Sequence, residues 1–182
     1  MKIRHSHSLI LIWRLAEAEA RQIKAATIEP NHLFLGLCKA VDLDLPALVR
    51  KDSPDRDEVL EELLREVRRL RTIFRSAGLD ARVFRRALRQ KCAGDRVAPS
   101  ESSPLHRSKS AKQAFAEAEH LAEVGNSVVY PVHLLSALLS MEDELRDDLL
   151  DQSGVKPARL RKATKNELMP PRAGDKPSAG RN

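Results

Sequence analysis

The chain says nearly the same thing twice. LAEAEARQIKAATIEPNHLFLGL runs from Leu15 to Leu37, and FAEAEHLAEVGNSVVYPVHLLSALL runs from Phe115 to Leu139. AEAE at Ala16–Glu19 returns at Ala116–Glu119, an offset of 100 residues. PNHL at Pro30–Leu33 returns as PVHL at Pro131–Leu134, an offset of 101. Further on, AGLDARVFRRAL from Ala77 matches SGVKPARLRKAT from Ser153, and Gly78 pairs with Gly154 at an offset of only 76. The fall from 101 to 76 gives the first copy about 25 residues that the second lacks, near Arg50–Arg75. A duplicated unit of this kind buries its apolar face against its twin, so the fold must be built from two like halves.

Each half reads as helices. Leu9, Ile12, Trp13, Ala16, Ala20 and Ile23 fall at spacings of three and four, one apolar stripe. Pro30 fits the first turn of a second helix, where its missing N–H is not needed. That helix is apolar on most sides and is expected to be central. The second half repeats the order through Ala114, Phe115, Ala118, Leu121 and Ala122, a turn at Gly125–Asn126, then Pro131. Short third helices are predicted around Leu45–Val49 and Leu145–Leu150. Gly78 and Gly154 read as helix-ending glycines before a last short helix.

The extra residues of the first half predict a charged helix over about 53–75, with Ser53 as N-cap and Pro54 in its first turn. Asp55, Asp57, Glu58, Glu61 and Glu62 crowd its start, and Arg65, Arg68, Arg69, Arg71 and Arg75 its end, the order that suits the helix dipole. GDRVAPSESSPLHRSKS reads as an exposed linker over about 93–110, and the tail from about 166 to 182 as disordered. The expected architecture is all-α and a single domain over about 1–165, with halves at about 9–92 and 111–165.

Composition narrows function by exclusion. Aromatic residues make up 3% of the 182, so the core is aliphatic. No apolar run approaches the roughly 18–20 residues of a membrane helix. The start, MKIRHSHSLILIW, lacks the h-region and cleavage site of a signal peptide, so a cytoplasmic chain is expected. Cys38 and Cys92 make neither a disulfide framework nor a metal quartet, and Cys38 is expected to be a buried thiol. There is no G-x-S-x-G, H-E-x-x-H or C-x-x-C, and no glycine precedes a lysine, so no phosphate-cradling G-x-x-x-x-G-K-[ST] is present. No catalytic residue, cofactor or metal is expected.

The residues that repeat are Leu15-Ala16, Glu19-Ala20, Ile28, Pro30, His32-Leu33, Gly36-Leu37 and Gly78-Leu79 in the first half. In the second they are Ala118, Leu121-Ala122, Gly125, Val129, Pro131, His133-Leu134 and Ala137-Leu138. This double pattern resembles the N-terminal domain of the Clp ATPases, over roughly Leu9–Lys165. The resemblance implies two pseudo-symmetric four-helix repeats, here with an extra charged helix inserted in the first. It implies a non-catalytic module that docks adaptors and substrates, either standing alone or fronting an AAA+ unfoldase. Some members of that family carry Glu before the repeat His and grip phosphorylated arginine with it. Asn31 and Val132 stand there in this chain, so that mode of recognition is not expected.

His32 and His133 sit at equivalent helix starts without a carboxylate or Cys at ligand spacing, and read as local hydrogen-bonding groups rather than metal ligands or acid–base residues. Glu17/Glu19 and Glu117/Glu119, two apart on a helix, point away from each other and read as solvated. From Arg65 to Lys91 the chain holds ten Lys and Arg against Glu66 and Asp80. Such a stretch attracts acidic protein surfaces or, with stacking aromatics, nucleic acid. The candidate protein-binding residues are therefore Asn31, His32, Val132 and His133 at the helix starts, and Arg65, Arg68, Arg71 and Arg75 on the inserted helix. The expected partner of a monomeric chain is a protein: a Clp client, an adaptor, or a Clp ATPase or protease subunit. Nucleic acid is the alternative, and no membrane partner is expected.

Overall fold

Two serines start the two halves in the same way. The Ser6 hydroxyl accepts the Leu9 N–H at 3.2 Å, and the Ser108 hydroxyl accepts the Ala111 N–H at 3.1 Å, so each satisfies a donor that a helix start leaves free. The computed structural model describes residues 3–49, 54–93, 105–123 and 128–168. Within them the order is β1 (Arg4–His5), α1 (His7–Gln22), α2 (Pro30–Ala40), α3 (Leu45–Leu48), α4 (Arg56–Ala77) and α5 (Ala81–Cys92). Then follow α6 (Lys109–Glu123), β2 (Val128–Val129), α7 (Pro131–Ser140), α8 (Glu144–Gln152) and α9 (Pro157–Leu168). The all-α reading holds. Gly78 and Gly154 both adopt left-handed φ, +82° and +74°, and end α4 and α8 as expected.

The halves interlock. β1, just before α1, pairs in parallel with β2, just before α7. Ile28, just before α2, bridges Arg107, just before α6. Likewise α4 packs on α9, and α5 packs on α8. Each contact has its reciprocal, as an internal twofold requires. A single apolar core follows, running from Leu9, Ile12, Leu33 and Phe34 to Leu134, Leu138, Leu150 and Leu160. At the junction of the halves the Arg107 guanidinium lies over both the Trp13 ring, 5.2 Å from its centroid, and the Phe115 ring, at 4.8 Å.

Three details differ from the sequence reading. First, Ala16 and Ala20 are buried and their spatial counterparts are Ala118 and Ala122, an offset of 102; Ala116 of the second AEAE is exposed. The identity at offset 100 is out of register by two positions, because Ala and Glu both tolerate either helix face. Second, the inserted charged helix is no separate addition. Its last turns pack and terminate as α8 does, so α4 is the first half's counterpart of α8, lengthened at its N-terminal end, and the short α3 is the helix without a counterpart in the second half. It starts after Asp55, and Ser53 lies outside the described residues. Third, the expected linker and tail contain ordered chain at their edges. Leu105 is in the core, α6 begins at Lys109, and α9 continues to Leu168. The Gly125–Asn126 turn lies outside the described residues.

The two helix pairs are not packed alike. A Cβ on Gly36 would stand 2.7 Å from the Ile12 carbonyl oxygen and 3.0 Å from the Ala16 nitrogen. The backbones of α1 and α2 therefore touch, and only glycine fits between them. Ala137 holds the matching place in α7, where a methyl group is accommodated and buried.

Candidate functional site

The repeat histidines act locally. The Glu29 N–H donates to His32 Nδ1 at 2.9 Å, and the Tyr130 N–H donates to His133 Nδ1 at the same distance. Each imidazole thus satisfies the backbone at the start of α2 or α7, a role open to a residue at the third helical position. Burial, reinforced by the nearby Arg69 charge, pushes His133 down to about 4, so the ring is neutral at ordinary pH. His32 and Val132 are each only 2% exposed and present no surface to a partner. Asn31 is half-buried, and its Oδ1 has no hydrogen-bond partner in the described chain. Among the described residues no group of three or more His, Cys, Asp or Glu could hold a metal ion. Burial also pushes the Cys38 thiol up, which removes it as a thiolate nucleophile.

The arginines of α4 divide. Arg65 is exposed beside buried Glu66, at 3.3 Å. Arg71 is tied down, its Nε donating to the Val41 carbonyl at 2.8 Å. Arg68 and Arg75 are exposed and form no ion pair with any described residue. Arg71 and Arg75, with Arg82 of α5, edge an open cleft of about 450 Å³ floored by Phe74 and Leu79. Applying the Gly78–Gly154 offset, Arg68, Arg71 and Arg75 fall where α8 carries Glu144, Asp147 and Asp151. The same face of the third helix is basic in one half and acidic in the other. Phe74 and Phe84, the aromatics of this basic stretch, are both buried, so it offers no ring for a base to stack on.

A second cavity lies in the other half. Leu121 of α6, Ser136, Leu139 and Ser140 of α7, and Arg161, Thr164, Lys165 and Leu168 of α9 line a groove of about 470 Å³. Its walls are mostly apolar and its rim is cationic. Arg161 donates to the Leu139 carbonyl at 2.8 Å and to Asp147 at 3.1 Å. Lys165 is exposed and forms no ion pair with any described residue.

The equivalent place in the first half is closed. Leu121 is replaced there by Glu19, Ser140 by Lys39, Arg161 by Arg85 and Lys165 by Arg89. Glu19 is fully buried. Arg89 grips its carboxylate with two hydrogen bonds, both 2.7 Å; Arg85 reaches it at 3.3 Å and Lys39 at 3.5 Å. A buried carboxylate is tolerated only when paired in this way. Glu19, read from sequence as solvated, is thus the centre of an ion cluster that fills the twin of the groove. Sequence reasoning missed this because Glu19 stands two residues from Glu17, an acid that stays partly exposed on the same helix. The available signal was its spacing from buried Ala16 and Ala20, which puts it on the apolar stripe. Leu121 was read only as part of the apolar stripe and the repeat, and nothing in the sequence singled out Arg161 or Lys165.

Comparison with known proteins places this all-α, twofold-repeated fold. Residues 106–180 match the family model of the Clp repeat (R) N-terminal domain. Over most of its length the chain has the fold of such domains. The Hsp104 N-terminal domain from Candida albicans superposes with a TM-score of 0.60 at 18% identity, over 88% of this chain and 89% of that one. A structure from a malarial protein secretion system gives 0.63 at 18% identity, over 91% and 95%. The N-terminal domain of the caseinolytic protease-associated chaperone ClpD from Arabidopsis thaliana gives 0.58 at 16% identity, over 91% and 94%. No curated protein sequence matches the chain. The resemblance read from the repeats is borne out: the chain has the fold of Clp-type N-terminal domains, and residues 106–180 match the Clp repeat model by sequence as well.

Proposed function

We propose that this chain is a non-catalytic protein-docking module, and that its binding surface is the open groove between α6, α7 and α9. The groove itself carries the reading: apolar walls, an unneutralised lysine on the rim, and room for one or two side chains of a partner. The fold supports it, since Clp N-domains as a class dock substrates and adaptors. The partner is a client, an adaptor, or a subunit of a Clp machine, and the cytoplasmic location expected from the sequence belongs to the same reading. Whether the module acts alone or in front of an ATPase does not change the surface. Nucleic acid, the alternative, would use the exposed Arg68 and Arg75, and the burial of Phe74 and Phe84 weighs against it. The AAA+ alternative concerns the length of the protein, not the groove.

The two surfaces are separable by experiment. A photo-crosslinking side chain is placed at Leu121 in one preparation and at Arg68 in another, and each is irradiated in cell lysate with and without nuclease. Nuclease-resistant protein adducts at Leu121 are expected. Adducts formed only at Arg68 and lost with nuclease would transfer the function to the basic face.

A further inference from the structure

The closed half shows what the open half is built to receive. In the first half a carboxylate, that of Glu19, sits at the junction of the three helices and is held by Arg85 and Arg89. In the second half the corresponding cations are present, as Arg161 and Lys165, and the carboxylate is not: Leu121 stands at the position of Glu19. Ser140 replaces Lys39, which removes a third cation and leaves space. Arg161 has partly compensated by turning to Asp147, but Lys165 forms no ion pair with any described acid.

We infer that the groove recognises an acidic protein segment: one Asp or Glu carboxylate seated against Lys165 and Arg161, with a neighbouring aliphatic side chain laid on Leu121, Leu139 and Leu168. The ligand supplies from outside the carboxylate that Glu19 supplies from within in the other half. This rests on the docking function proposed above and gives its partner a chemistry. Leu121 favours the aliphatic neighbour, because the wall it forms buries apolar surface without a polar partner. Lys165 favours the acid, because an ammonium on the rim of an apolar groove with no ion pair among the described residues gains a charge-assisted hydrogen bond to a seated carboxylate. A basic segment would meet the unneutralised charge of Lys165 at the rim.

The test is peptide selection. A library of random peptides displayed on phage is panned against the full chain, and the enriched peptides are resynthesised for fluorescence anisotropy. Enriched sequences are expected to pair Asp or Glu with Leu, Ile or Val. Replacing the acid by its amide is expected to weaken binding about tenfold or more, the loss of one charge-assisted contact. Lys165→Glu is expected to reverse the preference toward basic peptides. Leu121→Glu is expected to abolish binding altogether, because the chain then carries its own carboxylate between Arg161 and Lys165, as the first half does. Circular dichroism of both variants keeps a folding defect from passing as a binding defect, and the amide peptide tests the wild-type chain without any variant. Peptides that bind but carry no acid, or that ignore both variants, overturn the inference while leaving a docking module that works elsewhere. Failure to enrich any peptide overturns the docking function with it.

Discussion

Removing the carboxylate of Glu19 is the sharpest perturbation of the closed half. Glu19 is fully buried, and the three cations around it, Arg85, Arg89 and Lys39, are only 18%, 27% and 28% exposed. Glu19→Ala deletes the sole acid of this cluster and leaves the cations facing one another in a partly desolvated pocket. Breaking a buried pair from one side costs about 3–5 kcal/mol, because the partner's desolvation is no longer offset. For a domain of this size each kcal/mol moves Tm by about 2–4 °C, so the variant should melt roughly 6–20 °C lower. Urea unfolding followed at 222 nm gives the free energy directly. A second variant separates charge from cavity. In Glu19→Leu with Arg89→Met the strongest pair is replaced by apolar groups, and such exchanges are close to neutral in other proteins. The double variant should therefore recover most of the loss. A loss below about 1 kcal/mol in Glu19→Ala would refute the cluster as a structural element. So would a double variant less stable than the sum of its single changes, since the coupling would then have the wrong sign.

Other consequences are more local. His133 titrates near 4 in the folded chain, held down by burial and by Arg69, against about 6.5 when unfolded, so the unfolded chain binds the extra proton between those values. Stability should decline as pH falls from about 6.5 and level off below about 4, and His133→Asn should flatten that part of the curve; an unchanged slope would assign it to another group. Gly36→Ala should destabilise by about 1–3 kcal/mol, as overpacking does, whereas Ala137→Gly at the twin position should cost only the helix propensity difference of about 1 kcal/mol; thermal melts of the pair compare them directly. Arg68→Glu with Arg75→Glu should leave stability within about 0.5 kcal/mol and leave groove peptides bound, since both side chains are exposed and unpaired among the described residues. Loss of peptide binding in that variant would show that the basic face, not the groove, is the contact surface.

Much of the architecture was legible because duplication imposes it. Pro30 and Pro131 mark helix starts by their missing N–H, and Gly78 and Gly154 mark ends by their left-handed backbone; these are local requirements that survive in any context. The register of the first helices was not legible from AEAE, because a letter identity between tolerant residues carries no burial information. Counting from Leu9 and Ile12 instead of from Ala16 would have given 102. The lengthened α4 was read as an insertion because its sequence is self-sufficient, with acids at one end and bases at the other. Only its packing on α9, matched by α8 on α5, shows that it is the counterpart of α8 and that the short α3 is the additional helix. The groove lay beyond reach for a further reason: an absence of filling is a three-dimensional property, and Leu121, Ser140 and Lys165 are unremarkable as letters.

Comparison of the two halves also explains where each one keeps its buried charge. Leu70 of α4 lies in the core, and the position that matches it in α8 is Arg146, equally buried. Arg146 donates to the Met141 carbonyl at 2.7 Å and lies 6.0 Å from the Phe34 ring, and burial holds its pKa below the usual guanidinium range. The first half thus buries acids, Glu19 on α1 and Glu66 on α4, and the second a base on α8, and neither Glu19 nor Arg146 has a charged counterpart at the matching position of the other half. Two copies constrained only to be symmetric would not diverge in this way, since each buried charge demands partners that its twin lacks. Divergence becomes tolerable once the halves share one core, because each can then lean on packing supplied by the other. Closing one groove with an ion cluster leaves the second free to stay open. An open apolar groove exposes surface that a lone repeat could ill tolerate, and the interlock of α4 with α9 supports its far wall.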